Sequence, residues 1–304
     1  MASLEVEIAG IRLKNPVMPA SGAYEYSEER KSFFSPGELG AIINKTIFLE
    51  KRIGNPPPRI VETPCGMLNA IGIPTGGIED FIETQLPKME SFGVPIIASV
   101  AGNSIEDFLE VSERVAETGK VSFIELNLSC PNLSEGIEWA RDRKQLFSVI
   151  ERVKASVDIP IIAKLSPMVS DVAEMAAVSE DAGADAVALI NTYKGMVIDI
   201  EEKKPLLGNL TGGLSGPAIH PLAVYAVFSS YRKIKIPIIG IGGIASWSNA
   251  VEMILAGATA VGIGMYNFVN PMVMKEVIEG ISNYLDDNGF NSVKEIVGLA
   301  HRLG

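Results

Sequence analysis

Three segments share a pattern that few architectures accommodate: Val94-Pro95-Ile96-Ile97-Ala98-Ser99, Ile159-Pro160-Ile161-Ile162-Ala163-Lys164 and Ile236-Pro237-Ile238-Ile239-Gly240-Ile241. In each, a proline introduces a short, wholly apolar run. A strand without polar alternation is buried on both faces, as in a parallel sheet covered by helices, and proline is tolerated at its first residue, where no ladder donor is needed. A second pattern repeats. Ala182-Gly183-Ala184-Asp185-Ala186-Val187 and Ala256-Gly257-Ala258-Thr259-Ala260-Val261 read as helices ending on glycine and turning directly into a strand.

Extending this reading gives eight strands near 16–20, 41–46, 95–100, 123–128, 160–165, 186–191, 237–241 and 260–264. Helical patterns fall between or after them near 78–91, 104–118, 140–156, 171–182, 218–232, 246–256 and 271–286, with N-cap chemistry at Asn103-Ser104 and Ser170-Asp171. Strand and helix alternating eight times predict an α/β fold, a (β/α)8 TIM barrel forming one domain over 1–304. A doubly wound open sheet is the competing arrangement. Such a barrel needs about 250 residues. The surplus is assigned to an N-terminal hairpin around Gly10, expected to close the barrel bottom, and to two loop-rich insertions at the C-terminal face, Glu50 to Gly77 and Tyr193 to Pro217. Loops of this length are usually functional, often lids.

Composition narrows the chemistry. With 47% hydrophobic and 21% charged residues the chain can bury a large core. Its two cysteines, Cys65 and Cys130, are too few for a disulfide framework or an iron-sulfur cluster. The two histidines, His220 and His301, stand far apart, which argues against a histidine metal site or a Ser-His-Asp triad, so no metal is expected. A formal charge of -11 opposes nucleic-acid binding, and an anionic ligand needs a local exception, for which Lys45 and Lys164 are the candidates. No apolar run approaches the roughly 20 residues of a membrane span, and no secretory leader is readable, so a cytoplasmic protein is expected.

Barrel active sites lie at the C-terminal ends of the strands. Those ends carry Ser21, Lys45, Thr46, Ser99, Asn127, Cys130, Lys164, Asn191, Thr192, Gly242, Gly243 and Gly264. Polar groups gathered there without partners are costly to bury, which favours a site. Asn127-Leu128-Ser129-Cys130-Pro131-Asn132 adds a thiol that polar or cationic neighbours can activate as nucleophile or base, although free cysteine is equally at home as a small buried hydrophobe. Gly240-Ile241-Gly242-Gly243-Ile244-Ala245 superficially fits a dinucleotide fingerprint. It follows the seventh strand, however, and Val261-Gly262-Ile263-Gly264 follows at the eighth, where barrels bind one phosphate on glycine-bared backbone. Glycines needed only for tight turns are the alternative.

Pro19-Ala20-Ser21-Gly22, Asn44-Lys45-Thr46, Glu62-Thr63-Pro64, Gly66-Met67-Leu68-Asn69-Ala70-Ile71-Gly72-Ile73, the Asn127 to Asn132 segment, Asn191-Thr192, Gly213-Leu214-Ser215-Gly216 and Gly242-Gly243 together resemble class 1 dihydroorotate dehydrogenases. The Gly66 to Ile73 stretch resembles the class 1B catalytic subunit in particular. The resemblance implies oxidation of dihydroorotate to orotate in pyrimidine synthesis, with Cys130 as base and hydride transfer to FMN. It implies FMN contacts at Ser21, Lys45, Thr46, Ser99, Asn127, Lys164, Ile190, Gly216, Gly242, Gly243, Gly264 and Met265. It implies substrate contacts at Lys45, Asn69, Ala70, Ile71, Gly72, Ile73, Asn127, Asn191 and Thr192. Ser99, Thr75 and Met265 depart from the residues usual in the family. A homodimer within a heterotetramer, with a partner subunit carrying FAD and a 2Fe-2S cluster that passes electrons to NAD, is also implied. A stand-alone, fumarate-dependent class 1A-like enzyme, a phosphate-binding lyase using Lys164 or Lys45 as a Schiff base, and a non-catalytic FMN-binding protein are the alternatives.

Overall fold

A computed structural model describes residues 1–26, 32–128 and 139–302. Eight parallel strands form its central sheet: β1 (Val17–Pro19), β2 (Ile42–Ile43), β3 (Ile96–Val100), β4 (Phe123–Asn127), β5 (Ile161–Lys164), β6 (Ala186–Leu189), β7 (Ile238–Ile241) and β8 (Ala260–Ile263). Their order, β1-β8-β7-β6-β5-β4-β3-β2, runs around a nearly closed barrel. The seam between β1 and β2 is bridged by Gly40, whose N–H donates to Val17 O at 2.9 Å. Every residue of β3 to β8 is buried, so each strand meets the barrel interior on one face and the helical layer on the other. The eight strands expected from the proline and glycine punctuation are all present, and the open-sheet alternative is set aside.

The surrounding helices start where side chains satisfy their first backbone donors. Ser104 accepts from Asp107 N ahead of Ile105–Glu117, Asp171 from Glu174 N ahead of Val172–Asp181, and Ser246 from Asn249 N ahead of Trp247–Ala256. Asp142 accepts from Lys144 N and Gln145 N, so the helix expected from residue 140 begins instead as Arg143–Ser156, after a 3-10 turn at Trp139–Arg141. The helix expected near 78–91 is one helical run with a π-helical middle, Phe81–Gln85.

The N-terminal hairpin pairs Val6–Ile8 with Ile11–Leu13. Ala9 (φ 48°) and Gly10 (φ 81°) turn it, both left-handed as a tight two-residue hairpin requires. Its Val6, Ile8 and Leu13 side chains are buried in the main core. Ser3 then ties this end to the C-terminal segment, donating to Asn291 O and accepting from Val293 N.

The two insertions differ from the loops expected. They zip together into a four-stranded antiparallel sheet in the order Tyr193–Gly195, Gly212–Ser215, Gly66–Asn69, Ile60–Thr63. Short, glycine-rich strands whose partners lie far apart in the chain leave little local signal; Gly213 pairs with Asn69. The glycines serve close approach, since a Cβ at Gly66 would strike Ser215 O and one at Gly213 would strike the Thr192 side chain. Leu68, Ala70 and Leu207 make a small separate core under this sheet. Among the described residues no helix is long and apolar enough to cross a membrane.

Because that core is separate, Leu68→Ala is expected to act locally. Large-to-small truncation costs about 2–5 kcal/mol in a well-packed core. Hydrogen exchange should accelerate in 60–69 and 193–215 and stay unchanged in the barrel strands; uniform acceleration would show that the accessory sheet opens only with the barrel.

Candidate active site

The C-terminal ends of the barrel strands and the accessory sheet enclose a cavity of about 400 Å³, within the range of small-molecule sites. Its first wall is made by an irregularity after β2. Asn44 leaves the ladder and its side chain takes the place of a neighbouring strand: Oδ1 accepts from Ser99 N at 2.7 Å and Nδ2 donates to Ser99 O at 3.4 Å. Backbone pairing resumes at Ile47, whose N–H donates to Ser99 O at 2.9 Å. The Asn44 detour leaves Lys45 and Thr46 at the cavity wall.

The period of two along a strand sets the next layer. Glu125 and Asn127 share one face of β4; Asn127 lines the cavity, while Glu125 lies behind it and is 2% exposed. Across the ladders Ser99 stands opposite Glu125 and Lys164 opposite Asn127. Ser99 Oγ donates to Glu125 Oε1 at 2.9 Å, and Lys164 Nζ lies 3.5 Å from the same oxygen. Thr46 Oγ1 is 2.8 Å from Ser99 Oγ, accepts from Asn127 Nδ2 at 3.0 Å and lies 3.2 Å from Ser21 Oγ. Asn191 Nδ2 donates to Asn127 Oδ1 at 3.4 Å, and Asn191 Oδ1 accepts from Thr192 N at 2.8 Å.

The far side of the cavity is backbone-rich. Gly242 (φ 139°) and Gly243 (φ 64°) follow β7, and a Cβ on Gly243 would lie 2.7 Å from His220 Cβ and 2.8 Å from Gly216 O. At Gly264 a Cβ would meet only Ala20 Cβ at 3.9 Å, so backbone there faces open space. His220 braces this turn, with Nδ1 2.9 Å from Gly242 O and Nε2 3.1 Å from Glu252 Oε2. Two lysines and no carboxylate are found among the described lining residues, so the mouth attracts anions in a chain that is acidic overall. Burial, and then the nearby Arg59 guanidinium, hold the Lys45 ammonium below the usual lysine range.

Of the residues singled out in the sequence, Ser21, Lys45, Thr46, Asn69, Ile71, Gly72, Ile73, Asn127, Lys164, Ile190, Asn191, Thr192, Gly216, Gly242, Gly243, Gly264 and Met265 line this one cavity. Ser99 and Ala70 do not. Ser99 is fully buried behind Thr46, and Ala70 belongs to the small core under the accessory sheet. Cys130 lies outside the described residues. Sequence reasoning missed Glu125 and the brace at His220, and it quoted Asn44 within a motif without the role it takes at Ser99. Glu125 did leave a signal, as the single acid inside the buried run Phe-Ile-Glu-Leu-Asn.

A glycine-lined end and cationic, amide-rich walls at a barrel mouth define a TIM-barrel protein whose cavity suits an anionic, hydrogen-bonding ligand. A family model described as dihydroorotate dehydrogenase matches residues 3–285, and the chain belongs to that family. It is similar to the "Dihydroorotate dehydrogenase B (NAD(+)), catalytic subunit" of Caldicellulosiruptor bescii, 48% identical over 97% of this chain and 98% of the relative. Relatives of the same name from Geobacter sulfurreducens (46% identical, 97% of each chain) and Bacteroides thetaiotaomicron (45% identical, 98% of this chain and 99% of the other) match equally throughout.

Lys45 gives this mouth a pH dependence. Its ammonium attracts anions until pH rises through its depressed pKa, so affinity for a carboxylate ligand should fall at lower pH than an ordinary lysine would allow. Arg59→Ala removes a like charge and should move that fall to higher pH, as read by ligand titration across pH; coincident profiles would take Arg59 out of the account.

Proposed function

We propose that this chain oxidises dihydroorotate to orotate in pyrimidine biosynthesis, as the FMN-binding catalytic subunit of an NAD-linked dihydroorotate dehydrogenase. The observation that carries the proposal is the convergence of Lys45, Lys164, Asn69, Asn127 and Asn191 on one cavity with a glycine-bared end. The relatives' shared name supports the same reading.

The residues fit FMN. Gly242, Gly243 and Gly264, with Met265, would hold its phosphate, since they line the cavity with backbone that no side chain covers. Ser21, Lys45, Thr46, Asn127, Lys164, Ile190 and Gly216 would hold the rest of the cofactor, with Ser99 acting from behind through Thr46. Bound FMN supplies the acceptor for the hydride that leaves the substrate.

The chain's own groups do the remainder. Lys45 receives the substrate carboxylate beside the segment Asn69 to Ile73. Asn127, Asn191 and Thr192 offer donors and acceptors that match the alternating N–H and C=O edge of a dihydropyrimidine. Cys130 takes the proton from the carbon next to the ring carbonyl while the adjacent carbon gives up hydride. Lys164 sets a positive charge in the wall, where it favours negative charge arriving in the cavity.

By the same resemblance, electrons leave through a partner subunit carrying FAD and a 2Fe-2S cluster, in a cytoplasmic heterotetramer built on a homodimer of this chain; the chain's two cysteines are too few to ligate such a cluster within it.

Cys130→Ser is expected to slow substrate oxidation about 10²- to 10⁴-fold and to move its optimum to alkaline pH, because a hydroxyl is a far poorer base precursor. Stopped-flow measurement across pH reads this; unchanged kinetics would remove Cys130 from the role. Turnover by the isolated chain with fumarate would assign it to the stand-alone class instead.

A further inference from the structure

The side chains at the mouth form one hydrogen-bonded line, and the donors in it run in a single direction. The Ser99 hydroxyl donates to Glu125 Oε1, at 2.9 Å. Ser99 has one hydrogen, and its 2.8 Å contact with Thr46 is therefore a bond in which Thr46 donates. Thr46, its hydrogen spent, is an acceptor toward Asn127, whose Nδ2 donates at 3.0 Å. Asn127 must then present Oδ1 to Asn191, which donates from Nδ2 at 3.4 Å and accepts from Thr192 N at 2.8 Å. Ser21 does not reverse the line, since its own hydroxyl donates to Asn44 O at 2.7 Å.

We propose that Glu125 is a positioning residue: as terminal acceptor of the relay Asn127, Thr46, Ser99, it sets which way the amide of Asn127 faces toward Asn191, itself anchored by the Thr192 N–H, and it fixes Lys164 beside them. An asparagine presents a donor on one edge and an acceptor on the other, and a flip exchanges them. The relay therefore decides the hydrogen-bond pattern that a ligand meets. Its inner part, Thr46, Ser99 and Glu125, cannot relax into solvent, because all three are below 5% exposed. A buried acid is costly and is seldom kept for stability alone, since apolar replacements of buried ion pairs are often neutral or stabilising. Its position one step below Asn127 on the same face of β4 gives it this other use. A glutamine at 125 could donate to Ser99 and reverse the bonds from Ser99 through Thr46 to Asn127.

The inference rests on the dihydroorotate reading only for its ligand, and the test separates the two. Selective ¹⁵N-asparagine labelling of the purified flavin-loaded chain, with Asn127→Asp to assign the signal, reads the side-chain amide of Asn127 directly. Ser99→Ala cuts the relay and leaves the Glu125–Lys164 pair in place; Glu125→Gln removes the terminal acceptor. Both are expected to shift the Asn127 amide signal and to weaken orotate about tenfold, as an unsatisfied buried partner does. An Asn127 amide unmoved in Ser99→Ala overturns the relay, and this variant keeps the test decisive if Glu125→Gln fails to fold. A merely structural Glu125 would lower the melting temperature of Glu125→Gln while leaving orotate affinity and the amide signal unchanged in both folded variants. Wild-type protein that binds no orotate would overturn the functional reading, and the amide signal would still judge the relay.

Discussion

A carboxylate and an ammonium 3.5 Å apart, Glu125 and Lys164, sit in the barrel wall with side chains only 3% and 6% exposed, and the polar mouth is organised around them. Two charges can be kept in such a place only if each is paired and the remaining lone pairs are bonded. Ser99 meets that need on one side, and Thr46 and Asn127 follow from Ser99. The barrel makes this possible because every residue of β3, β4 and β5 is buried and in register, so Ser99 faces Glu125 and Lys164 faces Asn127 without adjustment. The site is therefore borne by rigid strands, and the accessory sheet closes one side of it with Asn69 and Ser215.

The barrel was legible because its strands are local objects. A proline followed by at least three apolar residues, or Ala-Gly-Ala leading into Val, announces a buried parallel strand within a six-residue window. The accessory sheet was not legible, since Gly212–Ser215 and Gly66–Asn69 have weak strand propensity and are stabilised by pairing with each other although they lie far apart in the chain. The residues of the site were legible as polar positions at strand ends. Their depth was not: Ser99 and Thr46 look alike in sequence, yet one lines the cavity and the other supports it from behind. Glu125 was overlooked because a lone acid in an apolar strand acquires meaning only when its cross-strand neighbours are known.

Charge distribution follows the same division between global and local. An excess of 37 acidic over 26 basic residues would repel an anionic ligand at long range, but screening confines exposed charges to roughly 8–10 Å. Inside the cavity the lysines dominate, and the low local dielectric strengthens them. Lys45 is destabilised as a cation by burial and by Arg59, which leaves it poised for an arriving carboxylate. His220, dismissed as a metal ligand on sequence grounds, holds the glycine turn through Gly242 O and links it to Glu252.

The central claim is that this mouth holds a flavin that dihydroorotate reduces. The most direct measurement is an anaerobic visible spectrum of the purified chain before and after addition of dihydroorotate. A yellow protein that bleaches, with orotate appearing in equal amount, is the predicted result. A yellow protein that keeps its colour would contradict the substrate, and a colourless one that does not take up added FMN would contradict the cofactor.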